Sequence, residues 1–252
     1  MCLILFAYKI RPGKKLILAA NRDEFFSRPT AAMDFWQDNP SILAGRDLKE
    51  KGTWLGMDRS GRFAAITNYR DPASMKNNPP SRGKIIKDYL TSDNSAADFL
   101  EKLQEQADSF NGFNLVLSDT ESLFWFSNKG GKPKKLSPGI YGLSNHLLNT
   151  PWPKIKKGKK ALEKIVLNKE KLSTEDLFHL LENREIPDDS ELPDTGVGIE
   201  WERILAPIFI NSKSYGTRSS SVIMTNNDGH ALIAERGFNG KGELQYEKEF
   251  YI

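Results

Sequence analysis

One cysteine, three histidines and a net charge of only +3 are all that 252 residues offer of the groups that most often announce a function. The single cysteine, Cys2, excludes an internal disulfide and any multi-thiolate metal site. The balance of 36 basic against 33 acidic residues excludes a nucleic-acid partner unless the basic residues gather in one patch. The densest basic run, Lys154, Lys156, Lys157, Lys159 and Lys160 around Gly158, has no interleaved aromatics and leads into a helical pattern. It reads as a solvated surface. No apolar run is long: Leu3 to Tyr8 falls far short of the roughly 20 residues that span a bilayer, and no basic segment precedes it. A membrane span and export are therefore not expected, and a cytoplasmic location is.

What is present is core material. Hydrophobic residues make up 38%, including 14 Phe and 5 Trp, so the chain is expected to fold as one domain over residues 1–252. Cys2 to Ile10 and Leu16 to Asn21 are apolar and β-prone around Arg11-Pro12-Gly13-Lys14, an opening hairpin. A loop symmetric about Pro12-Gly13 pairs Ile10 with Lys15 and, further along, Cys2 with Asp23. Asn21 then shares the face of Cys2, and Arg22 lies on the other unless a bulge re-aims it.

A second hairpin joins Trp54–Asp58 to Arg62–Asn68. Ser81 can cap a helix through Leu90, and Ser95 another that carries Phe99, Leu100 and Leu103 on one face. Strands return at Phe113–Ser118, Ser122–Phe126 and Ile140–Ser144. Pro151-Trp152-Pro153 introduces a helix through Leu162 and Val166, and Ser173 with Asp176 starts one with Leu177, Leu180 and Leu181. Residues 185–198 form a loop, and strands follow at Ile208–Ile210, Thr217–Thr225, His230–Glu235 and Glu243–Phe250. Strands, then helices, then strands predict an antiparallel α+β fold in which the first and last strands share a sheet.

Cys2 is the most informative residue. Removal of Met1 would place a thiol and a free α-amine on one residue. With an amine pKa of about 8 and a thiol pKa of about 8.5, the amine can take the thiol proton directly or through one water. The competing reading is a small buried hydrophobe at a strand start. Asn21-Arg22-Asp23-Glu24 crowds an amide, a cation and two carboxylates onto the neighbouring strand, where a structural strand would carry apolar residues. An arginine near the sulfur would favour thiolate, and a carboxylate could hold the α-ammonium. Asn68, Asn145 and Arg218 likewise close apolar strands, and an Asn amide can stabilise an oxyanion.

The histidines offer less: His179 sits on an apolar helix, His230 in a turn facing solvent, and His146 beside Asn145 as a pocket residue. Gly196-Val197-Gly198 lacks the strand and helix that flank a phosphate loop.

Six motifs in order, Met1-Cys2, Asn21-Arg22-Asp23-Glu24-Phe25, Gly52-Thr53-Trp54-Leu55-Gly56, Thr67-Asn68-Tyr69-Arg70, Gly142-Leu143-Ser144-Asn145 with Pro151-Trp152-Pro153-Lys154, and Tyr215-Gly216-Thr217-Arg218-Ser219-Ser220, resemble the NRDE family, which includes the transport and Golgi organisation proteins. That family in turn resembles the N-terminal nucleophile hydrolases with a leading cysteine, such as penicillin V acylases and bile salt hydrolases. The resemblance implies a four-layer αββα sandwich of antiparallel sheets. It also implies a catalytic set at Cys2, Arg22, Asp23, Asn68, Asn145 and Arg218. Arg22 and Asp23 are adjacent here and further apart in the acylases, so either could approach the sulfur. The implied activity is hydrolysis of an amide or thioester of a small acyl compound, needing no cofactor and no metal. The resemblance carries a second implication, a non-catalytic carrier of haem, acyl-CoA or a similar amphipathic ligand in the same pocket.

Overall fold

The computed structural model describes residues 2–252. In chain order it holds β1 (Cys2–Arg11), β2 (Lys14–Phe25), β3 (Thr30–Trp36), β4 (Asn39–Asp47), β5 (Leu55–Asp58) and β6 (Phe63–Asn68). These are followed by α1 (Gly83–Thr91), α2 (Ala96–Gln106), β7 (Phe113–Ser118), β8 (Leu123–Ser127), β9 (Lys134–Lys135) and β10 (Gly139–Leu143). The last elements are α3 (Pro153–Asn168), α4 (Thr174–Leu181), α5 (Ile199–Leu205), β11 (Tyr215–Asn226), β12 (Ala231–Phe238) and β13 (Leu244–Tyr251). They form two compact units, both of the α+β class. No helix among the described residues is long and apolar enough to cross a membrane.

The first unit comprises Met1–Ser27, Ser137–Ser144 and Leu148–Ile252. Its sheet is antiparallel, in the order β10-β1-β2-β11-β12-β13, so the first and last strands share it as expected. Leu3, Leu5 and Ala7 of β1 and Ile17 and Ala19 of β2 face α3 and α4, meeting Ile155, Leu162, Leu177 and Phe178. The spacing of Ile155, Leu162 and Val166 along α3 gives it one apolar face, and Gly158 lies between them. A Cβ on Gly158 would lie 2.5 Å from Leu5 Cδ1, so only glycine lets this helix sit so close to the sheet. α4 begins with the expected capping box between Ser173 and Asp176.

On the helix-facing side Asn21 is a structural clasp. Its Nδ2 donates to the carbonyls of Leu181 (3.0 Å) and Ile208 (2.8 Å), and Ser220 Oγ donates to its Oδ1 at 2.6 Å. Residues 208–210, expected as a strand, are irregular and join no ladder. Phe209 N–H reaches Asn183 O, and Ile210 N–H reaches Thr217 Oγ1.

The second unit comprises Arg28–Leu136 and Asn145–Leu147. Its sheet runs in plain chain order from β3 to β9. α1 and α2 lay Ile85, Ile86, Tyr89, Leu100 and Leu103 against Ile42, Ala64, Ile66, Leu115 and Leu117 on one face of it. α2 is capped by Ser95 as expected, whereas α1 starts after Arg82 without a side-chain cap from Ser81. Arg62 secures the other end of α1 by donating to the carbonyls of Tyr89 and Leu90, both at 3.0 Å.

Candidate functional site

The hairpin register decides what faces Cys2. Arg11 pairs with Lys14, as the symmetric loop predicts, but the ladder then slips between Tyr8 and Arg11, and Tyr8 pairs with Leu16. Lys9, with φ of +50°, marks the bulge. The one-residue slip moves every later partner, so Cys2 lies opposite Arg22 and not Asp23. Asn21 and Asp23 consequently point away from the face of Cys2, the reverse of the expectation.

The same row continues across the sheet. Arg22 pairs with Ser219, Ser219 with Gly237, and Gly237 with Tyr246. Opposed residues of an antiparallel ladder share a face, so Cys2, Arg22, Ser219 and Tyr246 stand on one side and the helices on the other.

Both neighbours of the sulfur in β2 act on it, by different routes. Arg22 presents its guanidinium on the same face, and Asp23 offers its main-chain N–H. Even so, the thiol is pushed up from its ordinary value. Burial is the main cause and the Asp23 carboxylate adds to it, with Arg22 and the Asp23 N–H opposing. The expectation that an adjacent arginine would yield thiolate is thus overturned by desolvation. Ser144 Oγ donates to the Cys2 carbonyl at 3.2 Å, which ties β10 to the first residue of β1.

Asp23 is 1% exposed. Thr217 Oγ1 donates to its Oδ1 at 2.8 Å, and Tyr215 OH donates to its main-chain oxygen at 2.9 Å. Burial raises its pKa, opposed by the Lys154 ammonium and then by Thr217 and Arg22. Lys154 corrects the reading of the lysine run. It is 5% exposed and donates from Nζ to Leu205 O at 2.8 Å, while Lys156, Lys157 and Lys160 are solvated. The four lysines line a cavity of about 300 Å³ beside α3.

Arg218 occupies a bulge in β11, between Thr217 opposite Asp23 and Ser219 opposite Arg22. It donates to the carbonyls of Phe25 (3.1 Å) and Phe26 (3.2 Å). Burial lowers its pKa, and the nearby Arg22 guanidinium adds to that effect.

In the second unit Asn68 ends β6, and Asn145, wholly buried, donates from Nδ2 to the Asn68 carbonyl at 3.0 Å. The Asn145 carbonyl accepts from Arg70 N–H at 2.7 Å. Beside them Tyr69 OH and His146 Nε2 lie 2.9 Å apart, and burial lowers the His146 pKa. His146 is therefore a half-buried partner of Tyr69, while His179 and His230 are exposed.

Cys2, Arg22, Asp23 and Arg218 are thus brought together within the first unit, and Asn68 with Asn145 within the second. The sequence reading missed Lys154, Ser219, Tyr246 and Tyr69. Three of these were in view, because Lys154, Ser219 and Tyr69 all lie inside the six motifs. Nothing near Tyr246 marks it. Among the described residues no group of three or more His, Cys, Asp and Glu is placed to hold a metal ion.

A family model described as Transport and Golgi organisation 2 matches residues 1–240. The bovine Transport and Golgi organization protein 2 homolog is 37% identical, over 98% of this chain and 96% of its own length. The human homolog is 35% identical, over 100% and 98%. The Drosophila melanogaster Transport and Golgi organization protein 2 is 29% identical, over 95% and 93%. Among solved structures, the C2A mutant of conjugated bile acid hydrolase from Clostridium perfringens aligns with a TM-score of 0.57 and 12% identity, covering 99% of this chain and 92% of that one. The Caenorhabditis elegans ortholog of N-acylethanolamine-hydrolyzing acid amidase aligns at 0.53 with 11% identity, covering 88% and 92%. At such identities the likeness is one of fold, and that fold is the N-terminal nucleophile hydrolase fold of antiparallel sheets and helices.

Proposed function

The chain belongs to the Transport and Golgi organisation 2 family, and from that premise we propose that it is an N-terminal-cysteine hydrolase of an amide or thioester bond in a small acyl compound. The observation that carries the reading is the seat of Cys2 at the first position of β1, with the Arg22 side chain across from it and the Asp23 N–H at its sulfur. The bile acid hydrolase and the acid amidase with which this chain shares its fold are named for hydrolysis, which supports the class of reaction.

In this reading Met1 is removed and Cys2 supplies both nucleophile and base. A thiol raised by burial rests as S–H, so it needs a base within reach, and the freed α-amine is one. The amine takes the thiol proton as sulfur attacks the acyl carbon. The ammonium then protonates the departing amine or thiol. Water, giving a proton back to the amine, cleaves the resulting thioester. Asp23, whose buried carboxyl lies near the Lys154 ammonium, is the group assigned to hold the α-ammonium.

The raised thiol also suits a chain that performs no chemistry, and so favours one alternative: a carrier of haem, acyl-CoA or another amphipathic ligand. One experiment separates them. The mature protein is screened against acyl amides and acyl-CoA thioesters with haem titrated alongside, and Cys2→Ser is run in parallel. The hydrolase turns over an acyl substrate and loses that turnover in Cys2→Ser while keeping its binding. Tight, stoichiometric haem binding with no turnover by wild type would remove the hydrolase reading. So would intact-mass analysis of native protein that found Met1 retained.

A further inference from the structure

β11 carries a run of hydroxyl side chains on either side of Arg218, and the two that flank Ser219 on the helix-facing side have evident partners. Thr217 bonds Asp23, and Ser220 bonds Asn21. Ser219 does not fit this pattern. It is 4% exposed, and its hydroxyl finds no hydrogen-bond partner among the described residues. A buried hydroxyl without a partner destabilises a fold, and alanine would fill the same space without that penalty.

Its position gives the hydroxyl a purpose. In the ladder Ser219 is directly beside Arg22, which is directly beside Cys2, all on the face away from the helices. Two strand spacings, roughly 10 Å, separate Ser219 from Cys2. Beyond Ser219 the row is closed. Gly237 has no side chain, and the Tyr246 ring lies where one would be, since a Cβ there would come within 2.0 Å of Tyr246 Cε1. Tyr246 OH is held by the buried Glu235, donating to Oε1 at 3.0 Å. The bulge at Arg218 brings a second guanidinium close enough for Arg22 and Tyr246 to act on its charge. Of the acids nearest this row, Glu235 accepts from Tyr246 OH, and Glu24 accepts from the Phe25 N–H while its charge also acts on Arg218.

We propose that Ser219, with Arg22 and Arg218, forms a subsite for a carboxylate of the substrate, so that the preferred compounds bear an acid group about 10 Å from the bond to be cleaved. The inference rests on the hydrolase reading for what happens at Cys2, whereas the subsite itself requires only that the thiol be reachable.

The test therefore uses alkylation and not turnover. 6-(Iodoacetamido)hexanoic acid and its primary amide differ only in the charge at the far end. In both, the Cys2 sulfur displaces iodide as the S–C bond forms. The single cysteine makes the product unambiguous. The subsite predicts that wild type reacts about tenfold faster with the acid than with the amide, and that Ser219→Ala brings the ratio towards one. Taking the ratio cancels any general change in thiol access, and Arg218→Gln should lower it as well. A wild-type ratio near one, a preference for the amide, or a ratio that Ser219→Ala leaves unchanged would overturn the subsite. The hydrolase reading would survive any of these outcomes, because it fails on absent turnover of acyl substrates or on a retained Met1 and not on the alkylation ratio.

Discussion

Lys154→Met tests the electrostatic centre of the candidate site. The ammonium sits in the first turn of α3, 5% exposed, donates to Leu205 O, and of the nearby charges on described residues acts most strongly to keep the Asp23 carboxyl ionised. Methionine keeps most of the stem's volume, so little packing is lost and the change falls on charge and one hydrogen bond. Removing one partner of a buried charge pair costs about 3–5 kcal/mol, and the stranded Leu205 carbonyl adds about 1 kcal/mol. Asp23 can soften this loss by taking up a proton.

The sign follows from the raised pKa of Asp23. A carboxyl whose folded-state pKa exceeds its unfolded value binds its proton more tightly in the native state. Its effect on stability is therefore most favourable at low pH and worsens as pH rises through the interval between the two values. Without Lys154 the native pKa climbs further and the interval extends upward. The deficit of the variant should thus be larger at pH 7 than at pH 5. For a chain of this size each kcal/mol moves Tm by roughly 2–4 °C, so a drop of roughly 8–24 °C is expected at pH 7. Thermal melts of wild type, Lys154→Met and Lys157→Met at both pH values check it. Lys157 pairs with Glu185 on the surface, and its loss should stay within about 0.5 kcal/mol. A Lys154→Met Tm within about 2 °C of wild type at pH 7, or an equal drop at both pH values, would refute the argument.

Three further outcomes are expected. Because burial raises the Cys2 thiol, iodoacetamide alkylation of the protein that retains Met1 should still accelerate beyond about pH 8.5, and Arg22→Gln should shift the curve higher; a plateau below about pH 8 would contradict it. Asn21→Ala removes two buried donors and an acceptor, so denaturant unfolding should show a loss of at least roughly 2 kcal/mol, and a loss under about 0.5 kcal/mol would mean that water replaces the clasp. Asn145→Ala strands the Asn68 carbonyl that its amide holds, so denaturant unfolding should show a loss of roughly 1–3 kcal/mol, and a loss under about 0.5 kcal/mol would mean that water replaces the tie.

The sequence revealed whatever was local. The capping box at Ser173 and Asp176, the turn at Gly13 and the cap at Ser95 each use side chains within a few residues, and each was readable. Three strands escaped, β3, β4 and the two-residue β9. β3 and β4 pair across a turn at Gln37-Asp38 with slips in their ladder, so their alternation never becomes regular. α5 follows Gly198 at φ of +84° without a side-chain cap, and so had no signal at its start. The face of Arg22 was unreadable for a similar reason: the bulge at Lys9 uses a residue with no special tolerance for positive φ. Lys154 shows the other limit, since burial of one lysine in a run of five is decided by where α3 docks and not by the run. The six motifs located the candidate site while leaving its geometry open.

The pairing of β2 with β11 also orders events at synthesis. Arg22 and Asp23 leave the ribosome early, yet the strand that completes their sheet brings Thr217, 194 positions after Asp23 in the chain. Until it arrives, the β1–β2 hairpin has an open edge, and contacts so distant in sequence form slowly.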